Sequence, residues 1–392
     1  MRKRLLAVQG PIQFIAGYIA MEWYRLVKIG DEETETVLLM YDFLMPQEME
    51  LGFVKVIRRL AASFKWHSIV FIGSAEMSNI MKGNYSKAIK KLHIAVGVTA
   101  FDEVILGRDY CGDGSPLIIN SFPSAARVVY GDSFGIVGNN AVDEAFNWKA
   151  PLRSFASLCK HSILKSINGT HKKFTFDTAV LSLPLDWSGT YLDTIEVLIP
   201  SKAFVTDKIS LMSASIHELS AYSDTLVDTG RLNYLFLLSN LSASGILSEK
   251  NESELYIEII RQVTPSGARV LLKPHPRAPK FVLNHVADNV RQQFDTVVID
   301  NEELASYPIE LWRKLLSCCE VIPVYSASAY QIKYIYGIEV ILALDDSKIN
   351  RFVFSERRDS ISKGNQSIIC CVNSIKDWDG MSPLWRGCEY AV

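Results

Sequence analysis

The sequence lacks the features of several protein classes. No stretch approaches the roughly 18 apolar residues that a membrane-spanning helix requires. The apolar run after Met1-Arg2-Lys3-Arg4 is too short for a signal peptide, and it is interrupted at Gln9-Gly10-Pro11. We therefore expect a cytoplasmic protein. Arg2, Lys3 and Arg4 would add only a weak attraction to the cytoplasmic face of the inner membrane, because three charges give little binding energy.

An excess of charge of either sign is also missing. The formal net charge is −2, so no basic surface predicts nucleic-acid binding. The seven cysteines include two adjacent pairs and no Cys-x-x-Cys spacing. Adjacent residues on a strand point to opposite faces and rarely bridge each other, so these cysteines indicate buried apolar side chains. No His-rich spacing suggests a metal site.

What the sequence does contain is an alternation of strand-like runs and helical patterns along its 392 residues. This alternation predicts an α/β fold with mostly parallel sheets. The length favours two domains, and we place them at residues 1–228 and 229–392, linked through the polar region 207–230. Elements predicted in the second half include a strand at 232–238, a helix at 309–317, and strands at 321–325 and 340–344.

A basic segment follows the strand that ends at Leu272. Lys273-Pro274-His275-Pro276-Arg277 holds an ammonium, an imidazole and a guanidinium, spaced by two prolines that stiffen the loop. Ligands of open α/β sheets bind at the carboxyl ends of strands, and cationic groups held there suit a phosphate. The alternative interpretation is a solvated basic turn.

Two further segments follow strands in the same half. Pro308-Ile309-Glu310 places a carboxylate where nucleotide-binding domains hold the hydroxyls of a ribose. The alternative is an acidic residue that the dipole of a helix N-terminus favours. Ser326-Ala327-Ser328 opens a helix with small side chains that let a phosphate approach, although either serine is equally plausible as an N-cap.

In the first half, Asp132 lies just beyond a predicted strand, between Gly131 and Ser133. A carboxylate that faces the His275 loop across a cleft would suit a glycosyl transfer, because it could take the proton of an acceptor hydroxyl. The alternative is a turn residue, since an isolated Asp in a loop with glycines commonly has that role.

These segments resemble the bacterial sialyltransferases and polysialyltransferases of the GT-B fold, in which two Rossmann-like domains with parallel sheets face a central cleft. The His-Pro motif of that family matches His275-Pro276, and its Glu and Ser segments match Glu310 and Ser326 to Ser328 in the same order. Its acidic motif, two acids and a Gly, is matched only in part at Asp132. Asp143 and Glu144 lie nearby as substitutes for the base.

The resemblance implies an inverting, metal-independent glycosyltransferase without an obligatory cofactor. Such an enzyme moves a nonulosonic (sialic-type) acid from a CMP-sugar to a glycan hydroxyl in bacterial capsule or lipooligosaccharide synthesis. It further implies that Asp132 is the general base and that His275 stabilises the charge of the donor phosphate. The donor-binding residues are predicted to be Lys273, Pro276, Arg277, Glu310, Ser326, Ser328, Ser239 and Asn240, and those on the acceptor side Gly10, Pro11 and Gln13.

Other interpretations of the same residues remain open. One is a different GT-B enzyme, such as a CMP-Kdo transferase or a sugar-nucleotide epimerase. Another is an inactive nucleotide-binding protein of a polysaccharide assembly complex, which the incomplete acidic motif would suit. Peripheral contact with such a complex or with the inner membrane is a further expectation.

Overall fold

The computed structural model of the chain describes residues 1–41, 47–82, 84–107, 114–131, 176–184 and 191–375. The chain divides into two compact units, Met1–Pro200 and Ser201–Val392. Each unit contains its own parallel sheet with helices between the strands. The α/β fold class with two Rossmann-like domains is therefore confirmed, whereas the central cleft stays a prediction.

The first unit is built on a seven-stranded sheet whose order is β3-β2-β1-β4-β5-β6-β7, with all neighbours parallel. The strands are β1 (Arg2–Val8), β2 (Thr34–Tyr41), β3 (Ser68–Ile72), β4 (Glu103–Gly107), β5 (Ala126–Gly131), β6 (Thr178–Leu181) and β7 (Glu196–Leu198). Leu5, Leu6 and Ala7 are 0% exposed, as expected for a central parallel strand that is covered on both faces.

Helices connect the first five of these strands. They are α1 (Pro11–Tyr24), α2 (Gln47–Ala61), α3 (Ser74–Met81), α4 (Tyr85–Val96) and α5 (Gly114–Ser121), with a π-helical turn at Arg25–Ile29 and a 3-10 turn at Tyr191–Thr194. Pro11 occupies the first position of α1, where its missing N–H is no loss. Gly17 of α1 lies so close to the sheet that an added Cβ would be 2.9 Å from atoms of Leu6 and Tyr130.

The basic N-terminal residues belong to the sheet. Arg4 is 3% exposed and donates hydrogen bonds to Thr34 Oγ1 at 2.8 Å and Thr36 Oγ1 at 3.0 Å. Arg2 forms an ion pair with the buried Glu103 at 2.5 Å. Two of the three charges that were expected to attract a membrane surface are thus bound within the protein. In the ranges that the structure describes, no helix is long and apolar enough to cross a membrane.

The second unit contains a four-stranded parallel sheet in the order β10-β9-β8-β11. The strands are β8 (Asn233–Leu237), β9 (Arg269–Lys273), β10 (Asp295–Val298) and β11 (Glu320–Pro323). Phe236, Val270 and Ile322 from three of these strands are 0% exposed and form the centre of the core.

Nine helices of the described residues surround this sheet. They are α6 (Lys202–Ala214), α7 (His217–Leu226), α8 (Glu249–Val263), α9 (Lys280–Val290), α10 (Glu302–Ala305), α11 (Arg313–Leu316), α12 (Ser328–Tyr336), α13 (Asp346–Phe352) and α14 (Arg358–Ser374), with 3-10 turns at Ile309–Leu311 and Ser355–Arg357.

The division between the units falls earlier in the chain than the predicted boundary after residue 228. The reason is that α6 and α7 pack on the second unit. The Ser213 hydroxyl of α6 donates to Leu311 O at 2.7 Å, and Lys314 of α11 pairs with Asp224 of α7 at 2.5 Å. The polar region that was interpreted as a linker is therefore part of the second unit's helical layer.

Two predicted elements differ from the structure. The strand at 340–344 is reduced to a single bridge between Val340 and Val321, next to the edge strand β11. The helix at 309–317 is interrupted at Trp312, whose backbone angles are φ −92° and ψ 41°. The interruption separates the turn Ile309–Leu311 from α11, so Glu310 does not lie in a regular α-helix.

Candidate functional site

The candidate site lies where the strand order of the second sheet reverses. The chain runs from β8 to β9 and β10 on one side, and then returns to place β11 on the other side of β8. Loops that leave the carboxyl ends of strands at such a point diverge and form the usual ligand crevice of open α/β sheets. The loops after β8, β9 and β11 carry Ser239, His275 and Ser326, respectively.

Lys273, the last residue of β9, is only 6% exposed. Its Nζ donates to Ala305 O at 2.7 Å and lies 5.4 Å from the centre of the Trp312 ring. Burial lowers the pKa of Lys273 to about 8, although the negative charge of Glu310 opposes this shift. Lys273 is therefore protonated at neutral pH, but its pKa lies close to that pH.

His275 is half-buried, and its Nδ1 accepts the backbone N–H of Arg277 at 3.0 Å. This hydrogen bond leaves the proton of the neutral ring on Nε2. Burial and the charges of Arg277 and Lys273 lower the pKa of His275 to about 4. At neutral pH, His275 therefore offers an N–H donor and no charge, which differs from the cationic role that its sequence neighbours suggested. Pro276 and Arg277 are exposed.

Glu310 is 3% exposed within the turn Ile309–Leu311. Its Oε1 accepts the hydroxyl of Ser328 at 3.2 Å, and its backbone carbonyl accepts the hydroxyl of Tyr336. The charge of Lys273 is close enough to interact with it. Glu310 thus lies in the first turn of a short 3-10 helix rather than of an α-helix, and its partners there are Ser328, Tyr336 and Lys273.

Ser326 and Ser328 are both half-buried at the start of α12. The Ser326 hydroxyl accepts the backbone N–H of Ser328 at 3.3 Å, and the Ser326 carbonyl accepts the N–H of Ala329 at 3.1 Å. The N-cap of α12 is Ala327, without a side-chain cap, so the N-cap role predicted for either serine is wrong. The Ser326 hydroxyl instead closes a turn onto Ser328, beside its predicted role in phosphate binding. The two roles are compatible, because a hydroxyl that accepts a hydrogen bond still has a proton to donate.

Ser239 ties the loop after β8 to the loop after β11. Its hydroxyl lies 2.6 Å from Val324 O and 3.0 Å from Tyr325 O, and its single proton is shared between these carbonyls. Asn240 is half-buried, and its carbonyl accepts the N–H of Ser244 at 3.0 Å. The observed contacts of Ser239 hold the site's loops together.

Sequence reasoning missed two residues that order the same loop. Glu252 is 0% exposed and accepts the backbone N–H groups of Leu241 at 2.8 Å and Ser242 at 3.0 Å. The Tyr256 hydroxyl donates to Glu252 at 2.7 Å and accepts the N–H of Ser239 at 3.1 Å. The sequence signal that could have identified these two residues is a glutamate four residues before a tyrosine on the apolar face of α8.

The residues predicted for the first unit are described only in part. Gly10 precedes α1, Pro11 is buried, and Gln13 Oε1 accepts the backbone N–H of Gln9 at 2.8 Å. Gln13 thus closes the turn between β1 and α1. Asp132 and its substitutes Asp143 and Glu144 lie outside the described residues, and β5 ends immediately before Asp132 at Gly131.

The second unit therefore brings together one ammonium, one imidazole N–H, one buried carboxylate and two hydroxyls. Lys273, His275 and the Ser326 hydroxyl have protons that can be donated to an anionic oxygen. The proton of Ser328 is donated to Glu310, which accepts hydrogen bonds from hydroxyls. This combination suits a ligand that carries both a phosphate and a sugar. No group of three His, Cys, Asp or Glu side chains that could hold a metal ion occurs in the described part of either unit.

Comparison with known proteins gives one family match. Residues 207–345 match the model of the alpha-2,8-polysialyltransferase (POLYST) family. The matched range contains the loops after β8, β9 and β11, and it ends before α13. The match confirms the predicted resemblance and the prediction of a glycosyltransferase. No curated protein matches the chain in sequence.

Solved structures with a similar course of the chain include epimerases and transferases. A UDP-GlcNAc 2-epimerase from Methanocaldococcus jannaschii is 10% identical, with a TM-score of 0.43 over 93% of this chain and 91% of its own. The S. aureus MnaA–UDP structure is 12% identical, with a TM-score of 0.46 over 98% and 92%. The E. coli heptosyltransferase WaaC with ADP is 12% identical, with a TM-score of 0.37 over 85% and 84%. These similarities are too low to carry an argument about function.

Proposed function

We propose that the protein is an inverting, metal-independent glycosyltransferase that moves a nonulosonic (sialic-type) acid from a CMP-sugar to a glycan hydroxyl. The pathway would be the synthesis of a bacterial capsule or lipooligosaccharide. The single observation that carries the proposal is the convergence of Lys273, His275, Glu310 and Ser328 at the carboxyl ends of parallel strands, within the range that matches the polysialyltransferase family.

The donor half of the proposal follows from the chemistry of these groups. A CMP leaving group has one phosphate, and its charge grows as the glycosidic bond breaks. The Nε2–H of His275 and the ammonium of Lys273 would stabilise that charge without a divalent ion, because preorganised donors need no rearrangement at the moment of reaction. The buried carboxylate of Glu310 would hold the ribose hydroxyls of the same nucleotide.

The acceptor half rests on Asp132, which stays a prediction as the general base. A carboxylate that removes the proton of the attacking hydroxyl acts in the chemical step and leaves nucleotide binding unaffected. We expect Asp132→Asn to lower kcat by about 100-fold or more while the Kd for CMP stays unchanged. An unchanged kcat would transfer the role to Asp143 or Glu144.

The reaction is tested by incubating the purified full chain with CMP-sialic acid and related CMP-nonulosonates, together with a panel of glycan acceptors. Release of CMP and formation of an extended glycan would support the proposal, and the products would identify the acceptor. Calorimetry with CMP, UDP and GDP provides a second measurement. Absence of both CMP release and CMP binding would exclude the proposed function.

The role of His275 has a matched control in the same unit. We expect His275→Ala to lower kcat by about 100-fold or more, because loss of one preorganised donor typically costs about 3–4 kcal/mol in the transition state. His285 is an exposed histidine on α9, and His285→Ala should leave kcat unchanged. Wild-type turnover in His275→Ala would contradict the proposed contact with the departing phosphate.

A further inference from the structure

Tyr325 has an unusual backbone conformation. Its φ is +52°, and no other non-glycine residue of the described ranges has a positive φ. Residues with a side chain rarely adopt this left-handed conformation, and it persists only where the surroundings hold it. Tyr325 lies between β11 and the serines of α12, so its conformation sets the path by which the chain reaches Ser326 and Ser328.

The backbone of the turn at Val324 and Tyr325 is held by the end of β8. The N–H of Val324 donates to Leu237 O at 3.1 Å, and the Ser239 hydroxyl reaches the carbonyls of Val324 and Tyr325. Ser239 is in turn held by Tyr256 and Glu252 of α8. A chain of hydrogen bonds therefore connects α8 with the turn that starts at Tyr325.

The side chain of Tyr325 is held by α14. The half-buried ring of Tyr325 packs against the hydrophobic core, with its hydroxyl beside Gly364. A Cβ at position 364 would overlap the Tyr325 hydroxyl oxygen and would lie 3.3 Å from ring carbon Cζ. The three heavy atoms outside the backbone of α14 that lie nearest to that hypothetical Cβ all belong to Tyr325, so the missing side chain of Gly364 leaves the space that this ring occupies.

We propose that Tyr325 is a positioning residue for the donor phosphate, and that Gly364 forms the recess in α14 that seats it. The proposal rests on the proposed function, in which Ser326 and Ser328 bind that phosphate. It makes the C-terminal helix α14, which lies beyond the matched range 207–345, a part of the donor-binding architecture. A ring displaced from the recess would move the left-handed turn and both serines with it.

The test is a double-mutant cycle between positions 364 and 325. Gly364→Ala should weaken CMP binding about tenfold, and raise the KM for the donor similarly with a smaller change in kcat, because the added methyl group displaces the ring. In the Tyr325→Phe background the same substitution should cost less than about twofold, since the overlapping hydroxyl is gone. Gly52→Ala is the matched control, because a Cβ on that helical glycine of α2 would meet nothing within 4 Å.

The outcomes separate the two proposals. No CMP binding by the wild-type protein would overturn both. Wild-type binding that Gly364→Ala leaves unchanged would overturn the positioning role alone, and so would an equal loss in the Tyr325→Phe background. If Gly364→Ala does not fold, Ser239→Ala replaces it. This variant removes the hydroxyl that fixes the turn's carbonyls and should also weaken CMP binding about tenfold. Unchanged binding there would overturn the positioning role too.

Discussion

The titration of Lys273 gives a direct test of the donor site. Its pKa is about 8, compared with 10.5 for a free lysine. One pKa unit corresponds to about 1.4 kcal/mol, so the fold disfavours the ammonium by roughly 3 kcal/mol. Above pH 8 the folded protein loses a charge that the unfolded chain keeps up to about pH 10.5. Stability attributable to Lys273 therefore rises as the pH increases through this window.

The affinity for the donor nucleotide should fall as the pH rises, whereas the stability contribution of Lys273 increases. If the ammonium attracts the phosphate, the Kd for CMP is constant below about pH 8 and then increases, by up to tenfold per pH unit. Lys273→Arg should remove this increase, because a guanidinium stays protonated throughout the range. Lys273→Met should bind CMP weakly at every pH.

The assay is calorimetric titration with CMP from about pH 6.5 to 9.5, with folding of each variant checked by circular dichroism. Lys333, 4% exposed on α12 and paired with Glu339 at 2.7 Å, provides a buried-lysine control. Lys333→Arg should keep the wild-type pH dependence. A flat profile for the wild-type protein, or the same alkaline loss of binding in Lys273→Arg, would show that the Lys273 ammonium does not attract the phosphate.

Three further predictions concern charge and packing. Glu310→Gln should weaken CMP binding about tenfold and move the alkaline loss of binding to lower pH, because the charge that supports the Lys273 ammonium disappears. The contribution of His275 to wild-type stability should fall by about 3 kcal/mol between pH 6.5 and 4, because the unfolded chain protonates this imidazole there and the folded protein does not. His275→Asn should lack this contribution in urea titrations. Gly17→Ala should destabilise the first unit by about 1–3 kcal/mol in the same assay, because its Cβ would lie 2.9 Å from the ring of Tyr130.

Each of these predictions has a contradicting result. An unchanged alkaline profile in Glu310→Gln would show that this carboxylate does not support the ammonium. If the His275→Asn variant loses the same amount of stability as the pH is lowered, other groups must cause that loss. A Gly17→Ala variant as stable as the wild-type protein would mean that α1 can move away from the sheet without cost.

Buried parallel strands were the most predictable elements of this fold. The strand predicted at 232–238 is observed at Asn233–Leu237, and the strand predicted at 321–325 is observed at Glu320–Pro323, with ends displaced by only one or two residues. A strand covered on both faces needs an uninterrupted apolar run, and few other local structures have that pattern. The same pattern failed at 340–344, where the chain runs beside the edge strand β11 and Val340 is only half-buried. An apolar run that packs partly on a core does not require a second strand to pair with.

The helix at 309–317 failed for a different reason. Its apolar spacing is helical, but Trp312 is 1% exposed and its indole N–H donates to Tyr307 O at 3.3 Å. A side chain of this size in the core fixes the backbone around it, and local periodicity carries no information about that constraint. The interruption matters for the site, because it leaves Glu310 in a short turn that faces Ser328.

The protonation states of the site's side chains were harder to predict from the sequence than the positions of these residues in the fold. Strand ends in the sequence place Lys273, His275 and Glu310 at one edge of a parallel sheet. The pKa of His275, in contrast, depends on burial and on charges that only the folded chain brings near it. The contact of Tyr325 with Gly364 joins residues from different elements and has no local sequence signal.

These charges also indicate how the site would recognise a phosphate. At neutral pH the positive charge of Lys273 stands beside the negative charge of Glu310, and His275 is neutral. The charge of the exposed Arg277 is weakened by solvent and salt. A strongly positive pocket, which the basic segment suggested, is therefore not what the fold builds. Binding would depend mainly on oriented N–H and O–H donors in a partly buried crevice, and such donors select the position of a phosphate more strictly than a diffuse positive field does.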